Sequence, residues 1–129
     1  MHSATDPEID LHHSKLIISN NKLLYVYLVT DYFYTYKEAL EIYEAMKQLT
    51  GGKKVKAILI AADGSDCDKE TRSFISSKDI TDMLKALALV SRSLAQDILG
   101  NFIITFDKPP QPTKLFRSID KAIQWLNNV

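Results

Sequence analysis

The feature that most constrains the fold is a short apolar run in the middle of the chain, Val55–Ala62 (VKAILIAA). It is rich in aliphatic and β-branched residues and does not alternate regularly between apolar and polar positions. This pattern is typical of a strand inside a parallel sheet, because helices cover both faces of such a strand. Parallel strands are joined by crossover helices, so the run predicts an α/β fold.

The segments before this strand predict an antiparallel hairpin. Leu16–Ile18 and Leu23–Val29 are apolar and flank Asn20-Asn21, a pair that tolerates the positive φ of a tight turn. Residues 1–14 are polar and irregular, and we interpret them as a flexible N-terminal tail. The folded domain is therefore expected to begin at residue 15.

A helix over residues 36–50 is predicted after the hairpin. Thr35 and Glu38 have the spacing of a capping box, and apolar residues recur at helical spacing as far as Leu49. Gly51-Gly52 ends the helix, because glycine adopts the left-handed conformation without steric cost.

Helices and strands alternate after Val55–Ala62. In chain order, the sequence predicts a helix from Lys69 to about Ser76 capped by Asp68, a weakly patterned helical segment Asp79–Lys85, a strand Ala86–Ser91, a helix from Leu94 to about Asp107 capped by Ser93, a strand Thr113–Arg117 and a last helix capped by Ser118. The order β-β-α-β-α-β-α-β-α predicts one domain over residues 15–129. We expect a mixed, mostly parallel sheet with an antiparallel N-terminal hairpin, packed by helices.

Composition excludes several classes of protein. Sixteen basic residues balance sixteen acidic ones, and without an excess of Lys and Arg we do not expect nucleic acid as the main partner. The one cysteine, Cys67, allows no internal disulfide and no multi-cysteine zinc site. No apolar run reaches the roughly 18 residues of a membrane span, and the N-terminus lacks the pattern of a secretory signal. We therefore expect a cytoplasmic protein.

Five stretches carry a resemblance to a known family: Leu49–Lys53, Ala86–Ser91, Gly100–Phe102, Lys108–Phe116 and Ala122–Leu126. They are similar to STAS domains, the fold of the bacterial anti-sigma factor antagonists, and most similar to an uncharacterised subgroup of single-domain bacterial proteins. The resemblance spans about residues 15–129. It implies a STAS-like fold and a non-catalytic, regulatory function in protein binding.

In antagonists of this kind, the loop after the central strand carries Asp-Ser-Ser-Gly or a near relative, and a serine at the start of the next helix is phosphorylated. A phosphate is favourable there because a helix N-terminus has free N–H groups. The corresponding stretch here is Asp63–Glu70 (DGSDCDKE), which has no Ser-Gly pair and has Asp68 where the helix-capping serine is expected. The chain thus lacks the usual phospho-serine motif, and the resemblance assigns no catalytic residue.

Four residues of that stretch form the main candidate site, a partner-binding or regulatory loop: Asp63, Ser65, Asp66 and Asp68. Ser65 is the hydroxyl that remains in the loop. The carboxylates are also suitable ligands for Mg²⁺ or Ca²⁺, but their spacing matches no calcium loop, and helix capping with solvation explains them better. Cys67 lies between two aspartates, which raise the pKa of a thiol, so we do not expect a nucleophile.

No metal site, cofactor or catalytic centre is predicted. The three histidines, His2, His12 and His13, all lie in the expected tail and lack further ligands at metal-binding spacing. The expected folded part therefore contains no histidine that could act as a general base. Gly51-Gly52 follows a helix and not a strand, so it is not a phosphate-binding loop.

Aromatic residues suggest a second surface. Tyr25, Tyr27, Tyr32 and Tyr34 lie close together in sequence, and tyrosines on an outer face are typical of protein interfaces. We take these four as candidate interface aromatics, for a partner protein or for a homodimer. The wide apolar stripe of Leu94–Phe106 is expected to pack on the sheet.

The sequence therefore predicts a non-catalytic protein-interaction module that binds its partner at Asp63–Glu70 and the adjoining helix. The alternative is a small-molecule or lipid-binding domain of similar fold, in which the stripe of Leu94–Phe106 and the segment Asp79–Lys85 cover an apolar ligand. An enzyme that uses the acidic loop ranks third.

Overall fold

The computed structural model describes residues 2–129. Its strands are β1 (Glu8–Asp10), β2 (Ser14–Ile18), β3 (Leu23–Leu28), β4 (Phe33–Tyr34), β5 (Val55–Ile60), β6 (Asp66–Cys67), β7 (Leu84–Val90) and β8 (Thr113–Phe116). Its helices are α1 (Tyr36–Thr50), α2 (Lys69–Ile75), α3 (Lys78–Thr81), α4 (Leu94–Phe102) and α5 (Ile119–Asn128), and a π-helix (Ile103–Asp107) continues α4 directly.

Six of the strands form the main sheet, in the order β1-β2-β3-β5-β7-β8, while β4 and β6 form a separate short pair. β1, β2 and β3 are antiparallel to their neighbours in the hairpins, whereas β3, β5, β7 and β8 run parallel. The apolar run that predicted a buried parallel strand is β5, which lies between two parallel neighbours. The predicted mixed, mostly parallel sheet with an N-terminal hairpin is confirmed.

The helix boundaries follow from the predicted caps. Thr35 N–H donates to the Glu38 carboxylate at 2.7 Å, and α1 ends at Gly51, whose φ is +64°. The caps of the later helices are also present, with side-chain oxygens that accept from backbone N–H groups three residues ahead: Asp68 from Thr71 at 2.8 Å, Ser93 from Gln96 at 3.2 Å and Ser118 from Lys121 at 3.3 Å.

The two faces of the sheet are covered differently. Helices α1 to α3 pack on one face, over residues such as Leu24 and Leu87, and the π-helix contacts α2 on the same side. On the other face α5 packs over Ile58 and Ala88, using its fully buried side chain Leu126. None of the helices described is long and apolar enough to cross a membrane.

The N-terminal segment contributes to the sheet. β1 lies within residues 1–14 and pairs with β2, and both His13 and Ser14 are buried. The prediction of a flexible tail is therefore corrected for residues 8–14. The sequence signal was too weak to reveal this strand, because β1 has three residues of which only Ile9 is apolar.

Two boundaries in the second half also differ from prediction. The segment Asp79–Lys85 divides between α3, which ends at Thr81, and β7, which begins at Leu84. The helix predicted to reach Asp107 does so, but its last turn is π-helical and ends at Lys108 in a left-handed conformation, immediately before Pro109.

Candidate functional site

The predicted regulatory loop follows β5 and is fixed on one side by the segment before α1. Asp31 N–H donates to the Asp63 carbonyl at 2.9 Å, and Asp66 N–H donates to the Tyr32 carbonyl at 3.1 Å. Gly64 has a φ of +72°, and a Cβ at this position would lie 2.1 Å from Asp31 Oδ1. The loop therefore favours glycine here for its backbone conformation, and an added Cβ would also have to displace the exposed Asp31 carboxylate.

Ser65 lies inside this loop. It is buried, and its hydroxyl donates to the Ala62 carbonyl at 2.8 Å. The side-chain amide of Gln96, in the first turn of α4, donates to the carbonyls of Ala62 at 2.9 Å and Ser65 at 3.3 Å. Ser65 thus holds the loop against α4, and its hydroxyl is not presented at the surface as a modification site would be.

The three aspartates of the candidate site have separate roles. Asp63 is exposed and lies 3.5 Å from the Arg92 guanidinium, and exposed Asp66 accepts from Cys67 N–H at 2.8 Å. Hydrogen bonds from Thr71 lower the pKa of Asp68, the cap of α2. Within residues 2–129 no group of three potential ligands could hold a metal ion.

Cys67 is an unreactive thiol in this environment. Burial is the main cause that raises its pKa to about 11, and the negative charges of Asp66 and Asp68 add to the effect. A thiol with this pKa is protonated near neutral pH, so Cys67 is neither a nucleophile nor a strong metal ligand.

His13 belongs to the folded part, contrary to the prediction that the histidines lie in a tail. Its Nε2 lies 3.2 Å from Glu41 Oε1, and its Nδ1 lies 2.9 Å from Ser14 Oγ. Its carbonyl accepts from the Tyr34 hydroxyl. These contacts join the beginning of β2 to α1 and β4.

Charged groups also fix the beginning of α4. The Arg117 guanidinium donates to both carboxylate oxygens of Asp97, at 2.6 to 3.1 Å, and the Ser91 hydroxyl donates to the same carboxylate. These bonds, with Arg117 the larger contributor, lower the pKa of Asp97. The α4 N-terminus is therefore held by β8 and by the loop that follows β7.

An apolar cavity of about 180 Å³ lies between the sheet and the helices, on the face of the sheet that α1 to α3 cover. Its lining comes from β3, β5, β7 and β8 on one side and from α1 to α4 on the other, and most of it is apolar. Leu59 lies in the central strand, yet it is only partly buried, because the helices leave a gap above it. The sequence pattern of each element shows its apolar face but not how completely neighbouring elements fill the space between them.

The other side of α4 and its π-helical extension exposes a row of large apolar side chains. Leu94, Ile98 and Phe106 are 71%, 64% and 68% exposed, and Phe102 between them is 36% exposed. Only the inner side, with Leu99, Gly100 and Ile103, faces the cavity. The prediction that the whole stripe packs on the sheet is therefore wrong for its outer half. We call these four exposed residues the α4 row.

The four candidate interface tyrosines do not form one surface. Tyr25 and Tyr34 are buried, while Tyr27 and Tyr32 are partly exposed. Tyr25 and Tyr27 lie on the α5 side of the sheet against His2, and Tyr34 lines the cavity on the other side. The prediction of interface aromatics is thus corrected for Tyr25 and Tyr34.

Comparison with known proteins supports the fold. The structure is similar to that of an uncharacterised protein of the DUF3478 family with a SpoIIAA-like fold, from Shewanella loihica PV-4, with a TM-score of 0.62, 15% identity and coverage of 98% of both chains. At this identity the likeness concerns the fold alone, which is STAS-like as predicted. No functionally curated protein matches the sequence. A sequence profile described as a domain of unknown function, DUF7793, matches residues 16–129, and the chain therefore belongs to the DUF7793 family.

Proposed function

We propose that this protein is a non-catalytic protein-interaction module whose partner surface is formed by Asp63–Glu70 and the α4 row. The observation that carries the proposal is the exposure of four large apolar side chains along one side of a helix that is hydrogen-bonded to the loop. Contiguous exposed apolar residues of this kind mark interaction sites, because a partner removes them from water. The STAS-like fold supports a regulatory role, as the resemblance to anti-sigma factor antagonists implies.

The charges within α4 and its π-helical extension favour a protein partner over a membrane. Residues 94–107 contain no lysine or arginine, whereas helices that bind membrane surfaces usually carry both on their polar side. The two acidic residues of this segment are already engaged, Asp97 by Arg117 and Asp107 by Arg72 at 3.6 Å. Exposed Asp66 in the neighbouring loop and exposed Glu70 in the first turn of α2 favour basic residues at the rim of the partner's apolar patch.

The experiment that tests this function places a photo-crosslinking amino acid at Ile98 in the full chain, in cells of the source organism. The control places it at Gln124, which is exposed on α5 on the other side of the sheet. We expect a defined protein partner to be captured from Ile98 and not from Gln124. The same product should be lost when Phe102→Ser and Asp66→Lys are added, since both side chains belong to the proposed surface.

Equal capture from Ile98 and Gln124, or capture that persists in the Phe102→Ser and Asp66→Lys variant, would contradict the proposal. Asp66→Lys is preferable to a change at Asp68. Asp68 caps α2, so its loss would alter the fold as well as the surface.

A second candidate function is the binding of an apolar small molecule in the cavity over Leu59. The specific observation that favours it is a gap of about 180 Å³ in an otherwise packed face of the sheet. Native mass spectrometry of protein purified without organic solvent tests it. An apolar ligand retained by the chain supports this function, and a chain with no bound ligand before and after exposure to a cell extract contradicts it.

A further inference from the structure

We propose that the cavity binds a compact, uncharged hydrocarbon group of about six to eight carbon atoms, such as an aromatic ring or a short alkyl chain. This inference rests on the second candidate function and specifies its ligand. It depends on three properties of the cavity: its volume, the hydrogen bonding and charge of the polar groups that line it, and its position over β5.

The volume sets the size of the ligand. The cavity measures about 180 Å³, and an apolar protein cavity of about 150 Å³ binds benzene. A space of this size accepts one aromatic ring or a short alkyl chain.

The polar groups that line the cavity are already paired within the protein. The Ser65 hydroxyl donates to the Ala62 carbonyl, and the Gln96 amide donates to the loop at 2.9 and 3.3 Å. The Thr71 hydroxyl donates to the Tyr34 carbonyl at 3.3 Å, and the Ser91 hydroxyl donates to Asp97. The donors of these groups are thus engaged within the protein, so a carbonyl or carboxylate on a ligand would lose its bonds to water and find none of these donors free.

Charged ligands are also disfavoured. Cys67 lies in the lining as a neutral thiol, and the one ionisable carboxylate there, Asp66, is exposed at the rim and bonded to backbone N–H. A carboxylate ligand would find no cation in the lining, and an ammonium ligand would find no buried anion. The cavity therefore selects uncharged hydrocarbon groups.

The centre of the cavity is the strand β5. Ala57 and Leu59 of β5 and Ala61 directly after it alternate toward the helices, and all three contribute to the lining. Two small alanines beside a partly exposed leucine leave the gap, so a larger side chain at Ala61 would occupy the space of a ligand. This gives a direct way to remove the cavity without removing the fold.

The test uses the full chain and three probes with the same ring: benzene, benzoate and benzylamine. At ten times its Kd, we expect benzene to raise Tm by about 3–6 °C and to shift the methyl resonances of Leu59 and Leu115. Benzoate and benzylamine should change neither. Ala61→Phe should remove the benzene effect, while the matched control Ala4→Phe, at an exposed N-terminal position, should retain it.

Leu59→Phe is the second filling variant, for use where Ala61→Phe does not fold, and it should reduce the benzene effect as well. No Tm or methyl shift with benzene in the natural protein would overturn the inference. So would binding of benzoate or benzylamine as tight as that of benzene, or a benzene effect unchanged in a folded filling variant.

The outcomes separate this inference from the proposed functions. If the chain retains a long or charged lipid and does not respond to benzene, the second candidate function is supported. The proposed ligand class is then overturned. Crosslinking at Ile98 reports on the outer side of α4, so it tests protein interaction independently of the cavity.

Discussion

The side-chain amide nitrogen of Gln96 lies 3.3 Å from both the carbonyl oxygen and the hydroxyl oxygen of Ser65. Gln96 belongs to the first turn of α4, and Ser65 to the loop after β5. One side chain therefore joins the two parts of the proposed partner surface. The oxygen of the same amide, Gln96 Oε1, accepts from Arg92 N–H at 2.6 Å, so both ends of the amide form hydrogen bonds.

Gln96→Ala should loosen the loop. The change removes hydrogen bonds to the carbonyls of Ala62 and Ser65, and we expect the free energy of unfolding to fall by about 1–2 kcal/mol. Urea unfolding measures the loss, and hydrogen exchange should show faster opening of residues 63–68. Gln48→Ala, at an exposed position on α1, is the control and should stay within about 0.5 kcal/mol of the natural protein. Equal effects of the two changes would show that the Gln96 bonds do not stabilise the loop.

Gln96 also shows which contacts could be predicted from the sequence and which could not. The spacing Ser93-x-x-Gln96 predicts a capping box, of which the bond from Gln96 N–H to the Ser93 hydroxyl is present at 3.2 Å, whereas the Gln96 side chain accepts from Arg92 N–H in place of Ser93 N–H. The bond to Ser65 spans 31 residues and depends on how the sheet brings two loops together. Local caps were therefore predictable, because they depend on neighbours in the chain, whereas the tertiary bond was not.

The apolar pattern of α4 likewise predicted the helix but not which of its sides is buried. Helical spacing identified Leu94–Phe106 as a wide stripe, but it gave no reason to expect that the sheet would cover Leu99 and Ile103 and leave Leu94 and Ile98 exposed. Which row is buried depends on the position of α2 and on the cavity. The continuous apolar run of β5, by contrast, predicted its place in the sheet correctly, since a central strand is covered on both faces in most arrangements.

Gly64→Ala should destabilise the protein more than Gly52→Ala. Both glycines have positive φ, +72° and +79°, so both changes strain the backbone by about 1–2 kcal/mol. A Cβ at Gly64 would also lie 2.1 Å from Asp31 Oδ1, whereas nothing lies within 4 Å of a Cβ at Gly52. Unfolding in urea should therefore give a larger loss for Gly64→Ala.

The collision itself can be tested separately with Asp31→Ala. Combined with Gly64→Ala, it removes the oxygen that a Cβ would strike, so Gly64→Ala should cost less in the Asp31→Ala background than in the natural protein. A double variant that loses the sum of both single effects would show that the contact with Asp31 is not the cause.

Asp97 should make stability depend on pH in the acid range. The hydrogen bonds from Arg117 and then Ser91 lower its pKa below the ordinary 3.8, so its stabilising contribution is complete above that value. It is lost as pH falls through the pKa of the folded state. We expect the free energy of unfolding to fall less steeply in Asp97→Asn than in the natural protein between about pH 5 and pH 2.

Asp120→Asn is the control for this change, because Asp120 is exposed and forms no ion pair in the part of the chain that the structure describes. Its pH profile should lie closer to that of the natural protein than the profile of Asp97→Asn does. Equal profiles for the two variants would mean that the bonds to Arg117 and Ser91 do not persist in solution.

Cys67 should react slowly with iodoacetamide in the folded protein. Burial raises the pKa of its thiol from the ordinary 9.0 to about 11, which reduces the thiolate fraction at pH 7 by about 100-fold relative to the unfolded chain. The alkylation rate, measured by mass spectrometry, should be lower by at least this factor without urea than with it, and should continue to rise up to about pH 11. An exposed thiol placed by Ser3→Cys in a Cys67→Ser background provides the reference rate. A rate for Cys67 that levels off near pH 9, as for the reference, would contradict the burial of this side chain against the cavity.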